Sequence, residues 1–299
     1  MTGFASTLAA LRAQGLRLDR IMPADDPAEA VLSGEGVRLV LRREGWTGPP
    51  EVGHHDGATV TARAGGDEVV GRAGMRYRDL VPGRWGGAVI ASHITIPEGG
   101  PVPDDVHAHE IDFQVICCRA GWVRVVYEDQ GPPFTLEAGD VVLQAPGIRH
   151  RVLEASPGLQ VVEVGSPAAH PTLLDHEVLL PTPELRPERS FGGQRFVRHV
   201  SASSPWVAVA DGWDEQRTGI AATSHGVGDV RLLRATGTAP LTWTTTAAFT
   251  LLYVTGGATT DLAEDDSVAL PAGSEVTLAP STPTTLLEVT VAGAGAHGV

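Results

Sequence analysis

Short apolar runs, broken at frequent intervals by turn-forming residues, make up most of the chain after its first thirty or so positions. Runs such as VRLVLR, WVRVVY and LQVVEV are rich in valine, leucine and isoleucine, and clusters of glycine, proline and aspartate separate them. Apolar, β-branched runs of this length between turn signals are typical of strands, and many short strands in succession indicate a sandwich or a barrel. The pattern therefore predicts an all-β protein.

Two departures from the strand pattern divide the chain. Residues 4–14 carry apolar positions at helical spacing and are followed by Gly15, a suitable C-cap, which predicts a short N-terminal helix. A proline-rich stretch over 169–190 interrupts the strands, which then resume. We expect an N-terminal helix and arm over 1–50, a first β domain over 51–168, a linker over 169–190 and a second β domain over 191–299.

Composition and charge narrow the class of partner. The hydrophobic content of 42% is ordinary for a globular protein, and the net charge of −14 argues against nucleic acid or an anionic membrane as partner. No stretch approaches the roughly 18 apolar residues of a membrane span, and the first twenty residues do not resemble a signal peptide. The chain has no lysine and no asparagine, which indicates a GC-rich bacterial genome. We expect a cytoplasmic protein that binds a small-molecule substrate.

The segment HAHEIDFQ carries the main chemical signal. His107 and His109 are two residues apart, so on a strand both side chains point to one side, as two ligands of one metal ion do. A pair of structural histidines is the alternative interpretation. His150 ends the segment GDVVLQAPGIRH, and a hairpin that brought it beside the pair would give three imidazoles on one face. Gln114 stands where a carboxylate ligand is expected. These four residues are the candidate ligands of a divalent metal.

The surroundings of the two histidines resemble the first motif of the cupin superfamily, G-x5-H-x-H-x3-4-E-x6-G. His107, His109 and Gly121 match it, while the glycine at its head falls one place early. Gln114 replaces the family's glutamate ligand, a departure that leaves open whether this residue binds the metal.

The segment around His150 resembles the second cupin motif, G-x5-P-x-G-x2-H-x3-N. Gly139, Gly147 and His150 match it, whereas Ala145 and Glu154 replace its proline and asparagine. The two motifs in this order imply a cupin barrel, a jelly roll or double-stranded β-helix.

The second half of the chain resembles a degenerate repeat of the first. FTLLYVTGG aligns with FQVICCRAG, and PAGSEV aligns with the second motif. The positions of the four candidate ligands are then taken by residues that do not usually bind metals: Trp243, Thr245, Thr250 and Val276. The resemblance implies a bicupin with a metal-binding N-terminal domain and a degenerate C-terminal domain, which is also a natural interface for a homodimer.

Three functional hypotheses follow from the resemblance. Three neutral imidazoles leave coordination positions open for a chelating substrate and dioxygen, which favours a non-haem Fe(II) dioxygenase acting on a small enolate, catechol or keto acid. A Zn, Mn or Ni cupin that isomerises, epimerises or cleaves its substrate is the alternative. A non-catalytic, ligand-binding bicupin is the third.

Other residues are candidates for supporting roles. Gln114 would tune the metal or orient substrate. His93 on the strand VIASHITI would act as a proton shuttle if it faces the cavity, and a position outside the barrel is the alternative. Arg76, Arg78 and Arg84 are candidates for a clamp on a substrate carboxylate, with ion pairs or a solvated surface as the alternative.

Overall fold

The chain folds almost entirely into antiparallel sheets. The structure, a computed structural model, describes residues 3–49, 51–53, 55, 57–71 and 74–293. Helix α1 (Gly3–Ala13) begins this part of the chain, α2 (Ile220–Thr223) is a single turn, and two 3-10 turns span Arg84–Gly87 and Ser201–Ser203. The predicted all-β class with a short N-terminal helix is confirmed.

The strands follow one another in short segments. Their bounds are β1 (Arg17–Met22), β2 (Glu29–Gly34), β3 (Val37–Arg42), β4 (Val60–Ala62), β5 (Glu68–Val70), β6 (Arg76–Asp79), β7 (Ile90–Ile96), β8 (Gly100–Pro101), β9 (His107–His109), β10 (Phe113–Ala120), β11 (Trp122–Tyr127), β12 (Phe134–Glu137), β13 (Val141–Leu143), β14 (His150–Ala155), β15 (Leu159–Ser166), β16 (Thr172–Leu174), β17 (Ser190–Phe191), β18 (Gln194–Arg195), β19 (Val197–His199), β20 (Val207–Ala210), β21 (Trp213–Arg217), β22 (Gly228–Ala235), β23 (Leu241–Thr244), β24 (Phe249–Gly256), β25 (Ser267–Leu270), β26 (Glu275–Leu278) and β27 (Thr285–Val291).

Three large sheets organise these strands. The first has the order β12-β11-β14-β9-β16-β1-β2-β3, with β8 also paired to β14. The second has the order β19-β13-β10-β15-β7-β6-β5, and the third β20-β21-β22-β27-β24-β25-β4. Two ribbons, β17-β18 and β23-β26, complete the set. The third sheet and the β23-β26 ribbon share one core, in which Trp243 packs with Leu252 and Leu286, and together they form the second barrel.

The first and second sheets face each other and form the first barrel. Tyr77 and Ile94 from the second sheet pack in one core with Val125 and Tyr127 from the first. Because successive residues of a strand point to opposite faces, each strand gives this core only every second side chain.

The other face of the second sheet packs against the third sheet. Phe113, Val115 and Cys117 of β10 lie in one buried cluster with Leu251 of β24 and Val289 of β27. Strand β10 is therefore buried on both faces, which explains why its sequence is an almost continuous apolar run rather than an alternating one.

The two halves of the chain exchange edge strands. Strand β4 lies along the chain between β3 and β5, which belong to the first barrel, but pairs with β25 of the third sheet. Strand β19 follows the proline-rich stretch but pairs with β13 of the second sheet. Strand β16, within the predicted linker, pairs with β9 and β1 of the first sheet. The domain boundaries stay a prediction; these pairings show that the two halves share strands across them.

The N-terminal segment closes one side of the first sheet. Phe4 of α1 packs with Leu18, Ile21 and Leu32 of β1 and β2, so this contact buries only apolar side chains. Among the described residues, no helix has the length and apolar character needed to cross a bilayer.

Candidate metal centre

The three predicted histidines meet on one wall of the first barrel. His107 and His109 are the ends of β9, and His150, the first residue of β14, pairs directly with His107. The candidate ligand atoms of the three side chains lie within 4.8 Å of one another, and all three residues are buried. His150 is 41 residues after His109 in the sequence, and the pairing of β9 with β14 brings the two close together. The role of the three histidines as metal ligands stays a prediction.

Hydrogen bonds to backbone oxygens fix two of the rings. The His107 Nδ1 lies 2.8 Å from the Asp105 carbonyl oxygen, and the His150 Nδ1 lies 3.0 Å from that of Ile148. A carbonyl oxygen only accepts, so each Nδ1 carries the hydrogen and Nε2 is the nitrogen that each ring would offer to a metal. Asp104, whose Oδ1 is 3.6 Å from the His107 Nδ1, adds a buried carboxylate behind the same ring.

Two residues of the predicted linker support the third ring. The Thr172 hydroxyl, fully buried, hydrogen-bonds the His109 Nδ1 at 3.0 Å, and the His170 ring packs edge-on against His109 with centroids 5.4 Å apart. Burial lowers the pKa of His170, and its Nδ1 lies 3.0 Å from the Pro167 carbonyl oxygen. Sequence reasoning missed both residues because it assigned their segment to a linker; the short apolar run after Pro171 was the available signal.

Gln114 lies in the cavity beside a carboxylate. Its side chain is buried, and its Nε2 donates a hydrogen bond to the Glu163 Oε1 at 2.5 Å. Glu163, on β15, was not among the predicted site residues. A single charged residue inside the apolar strand LQVVEVG was the signal that could have found it, because an unpaired charge is costly inside a barrel. Whether Gln114 binds a metal stays a prediction.

The histidines open onto a mainly apolar cavity of about 100 Å³. Aliphatic side chains form most of its wall: Ile90, Ile94, Ile116, Val125, Leu136 and Val161. Tyr127 stacks on the His150 ring, with centroids 5.4 Å apart, and donates a hydrogen bond to the Gln144 Oε1 at 2.6 Å. Burial, together with the charge of Glu163, raises the pKa of Tyr127, so its phenol stays protonated.

His93 faces away from this cavity, in line with the second of its two predicted positions. Its neighbours Ser92 and Ile94 line the cavity, so strand alternation turns His93 to the opposite face of β7. There its Nδ1 lies 3.0 Å from the Arg78 Nη2, and its ring lies 6.2 Å from that of Tyr253. Burial and the charge of Arg78 lower the pKa of His93. Its position does not support a role as proton shuttle.

The candidate arginine clamp is also absent from the cavity wall. Arg78 hydrogen-bonds His93 and the backbone of Asp265, and Arg84 forms an ion pair with Asp25 at the cavity mouth. The exposed side chains of Arg76 and Glu68 lie 3.8 Å apart on β6 and β5. Of the described residues that line the cavity, none is an arginine.

An acidic recess adjoins the mouth. It has a volume of about 230 Å³ and shares Asp25, Tyr77, Ile90 and Ser92 with the cavity. Four aspartates line it together with Arg84: Asp25, Asp26, Asp67 and Asp79.

In the second barrel, the positions equivalent to the candidate ligands carry side chains that do not usually bind metals. Trp243 pairs with Val276 across β23 and β26, and its Nε1 donates to the Glu288 Oε1 at 2.7 Å. The hydroxyls of Thr245 and Thr250 hydrogen-bond each other at 2.5 Å. Within the described ranges, the three-histidine group is the one cluster of potential ligands found, and the second barrel contains no counterpart.

The donor set of the first barrel fits a divalent metal ion. Three buried imidazoles converge, and hydrogen bonds to their Nδ1 atoms orient them, an arrangement that is usual around metal-bound histidines.

Comparisons with known proteins agree on the fold. No family model matches the chain, and no curated protein does. Among solved structures, a salicylate 1,2-dioxygenase from Pseudaminobacter salicylatoxidans is similar with a TM-score of 0.52 and 14% identity, covering 69% of this chain and 71% of its own. The oxalate decarboxylase from Bacillus subtilis has a TM-score of 0.57 and 12% identity, covering 81% and 78%. The strand order, the histidine cluster and these likenesses together show that the chain has the two-barrel fold of the bicupins.

Proposed function

We propose that the first barrel is the site of a metal-dependent enzyme, a non-haem Fe(II) dioxygenase that acts on a small chelating metabolite of the enolate, catechol or keto-acid type. The observation that carries the proposal is the convergence of His107, His109 and His150 on a mainly apolar cavity. When bound, a ferrous ion with three neutral imidazole ligands has positions left for a chelating substrate and dioxygen. Both oxygen atoms enter the product as a carbon–carbon bond breaks, so no separate reductant is needed.

The cavity sets limits on the substrate. The cavity of about 100 Å³ is smaller than the roughly 150 Å³ that accommodates benzene, so a substrate with one ring extends from it into the adjoining recess. Tyr127, held protonated, and the Gln114–Glu163 pair are the polar groups that orient the substrate within the cavity.

The alternative function is a Zn, Mn or Ni cupin that isomerises, epimerises or cleaves its substrate without dioxygen. Glu163 favours this alternative, because a carboxylate in the cavity supplies the proton acceptor that such reactions require. The third candidate function is a non-catalytic binding protein. It is suggested by the second barrel, where residues that do not usually bind metals occupy the positions of the metal ligands.

Oxygen uptake decides among the three. The protein is loaded with Fe(II) under anaerobic conditions and mixed with aerated 4-methylcatechol or acetylacetone. The dioxygenase proposal expects one dioxygen consumed per substrate, and no uptake by the His107→Ala/His150→Ala variant. His225→Asn, an exposed histidine of the second barrel, serves as the matched control and retains uptake. Turnover with zinc or manganese but no oxygen consumption would support the alternative instead.

A further inference from the structure

His170 lies on the cavity wall next to a candidate ligand. The pairing of β16 with β9 sets Thr172 opposite His109. Two residues earlier in the chain, the His170 ring packs edge-on against the His109 ring, with centroids 5.4 Å apart, and lines the cavity. The charges of Asp25 and Arg84, which pair at the cavity mouth, also act on His170. His170 therefore lies between the candidate metal centre and the entrance.

Hydrogen bonds to the backbone fix the orientation of this ring. The Glu110 N–H donates to the carbonyl oxygen of Pro171 at 3.0 Å, which holds the chain directly after His170. The His170 Nδ1 lies 3.0 Å from the Pro167 carbonyl oxygen, which ties the side chain to its own turn. The ring thus has a set orientation before any ligand binds.

The other nitrogen of the ring is a hydrogen-bond acceptor. A carbonyl oxygen only accepts, so the His170 Nδ1 carries the hydrogen and Nε2 has the lone pair. Burial lowers the pKa of His170, which is therefore neutral at about pH 7.5. His170 is only 6% exposed, and no residue in the described part of the chain hydrogen-bonds its Nε2. A buried acceptor on a cavity wall, with no partner in the protein, points to a hydrogen-bond donor on the ligand.

We propose that His170 is a specificity-determining residue of this site: its Nε2 accepts a hydrogen bond from the substrate, and the site selects chelating molecules with an N–H or O–H donor next to the oxygens that would bind the metal. This inference rests on the proposed metal-dependent function. A molecule without that donor displaces water from the buried Nε2 and leaves it unpaired, which weakens binding.

A matched pair of probes tests the proposal. Acetohydroxamate and N-methylacetohydroxamate bind metals through the same two oxygens, and only the first has an N–H group. Their binding to Zn(II)-loaded protein is measured by calorimetry at about pH 7.5, after metal analysis confirms loading. The ratio of the two affinities is divided by the same ratio for Zn(II) ions in water, which removes the difference between the probes as chelators. The unpaired acceptor predicts a corrected preference for acetohydroxamate of at least about ten-fold in wild-type protein.

Two substitutions isolate the contribution of the ring nitrogen. His170→Phe keeps a planar ring and removes the acceptor, so the corrected preference is expected to fall to about two-fold or less. His170→Gln supplies a side-chain carbonyl oxygen as acceptor and is expected to keep a preference of at least about five-fold. A purely structural role of the ring in packing against His109 predicts the opposite order, because phenylalanine matches the shape of histidine better than glutamine does.

A buried histidine outside the cavity provides the matched control. His199 on β19 is 5% exposed, and its Nε2 lies 3.3 Å from the Gln216 Oε1. His199→Phe makes the same change of side chain away from the cavity wall and is expected to keep the wild-type preference.

The outcomes separate this inference from the function on which it rests. Metal-loaded wild-type protein that shows no corrected preference, or that binds neither probe, overturns the inference while the metal site stands. A folded, metal-loaded His170→Phe protein that keeps the wild-type preference also overturns it. Protein that takes up no metal refutes the proposed function itself. The wild-type ratio needs no variant, so the test holds even if His170→Phe does not fold.

Discussion

Removal of the Thr172 hydroxyl should weaken metal binding without disrupting the barrel. This hydroxyl is the hydrogen-bond partner of the His109 Nδ1 at 3.0 Å, and Thr172 is fully buried, so no bulk water replaces it. Thr172→Val keeps the branched shape of the side chain and removes only that bond. Loss of such a partner behind a histidine ligand typically reduces metal affinity by about 10–100-fold, or roughly 1.4–2.7 kcal/mol.

Competition with a chromophoric chelator measures the change directly. Zinc affinity is determined for wild type and Thr172→Val, with thermal melts of the metal-free proteins as a measure of folding. Thr250→Val is the matched control, because it removes a buried threonine hydroxyl of the second barrel that is bonded to Thr245 at 2.5 Å. Both variants lose a hydrogen bond worth about 0.5–1.5 kcal/mol of stability, but Thr250→Val should leave zinc affinity unchanged. A Thr172→Val protein within two-fold of wild-type affinity would refute the reasoning.

Three further predictions concern other parts of the molecule. Burial raises the pKa of Cys117 and raises the pKa of Cys118 to about 12. Neither thiol should therefore react with Ellman's reagent at pH 8 until the protein is unfolded, and rapid reaction of the native protein would contradict this. Although burial raises the pKa of Asp265, the Tyr253 hydroxyl and the Arg119 charge outweigh it and hold that pKa below its usual value of 3.8. The folded pKa lies below the unfolded one, so its stabilisation is present above about pH 4 and lost as pH falls. Asp265→Asn should therefore lower the free energy of unfolding by about 1–3 kcal/mol at pH 7, and urea titrations should show the difference shrinking below about pH 4; a pH-independent difference would count against it. Zinc at 100 times its Kd should stabilise the folded protein by about 2.7 kcal/mol, seen as a higher Tm, and should leave the Tm of His107→Ala/His150→Ala unchanged.

The sequence was sufficient to predict the fold class and to single out the three histidines as candidates, because both depend on local spacing; that the histidines converge depends on the β9–β14 pairing. Strand and turn patterns follow from neighbouring residues, and His107, His109 and His150 lie in two compact motifs. The sequence also indicated that the second barrel is degenerate, because residues that do not usually bind metals occupy its ligand positions. Trp243 is the clearest example, since its indole donates a hydrogen bond to Glu288.

The remaining features depend on pairings between distant strands. Glu163 meets Gln114 only because β10 and β15 pair in one register, 49 residues apart in sequence. His93 faces away from the cavity because the pairing of β7 with β15 turns Ser92 inward. A shift of one residue in register would reverse each of these facings, and sequence periodicity alone does not fix register.

The exchanged strands are a second feature that local patterns do not contain. Strand β4 has only three residues and pairs with β25, about 200 residues later. Its apolar content is the same whichever sheet it joins, so only the assembled fold decides its partner.

Metal content is the measurement that tests the central claim most directly. Protein purified without added metal or chelator is analysed by mass spectrometry beside the His107→Ala/His150→Ala variant, with His225→Asn as control. The account predicts close to one divalent ion per chain in wild type and control, and loss of that ion in the double variant. Wild-type protein that contains no metal and takes none up on reconstitution, or a double variant that retains the ion, would contradict it.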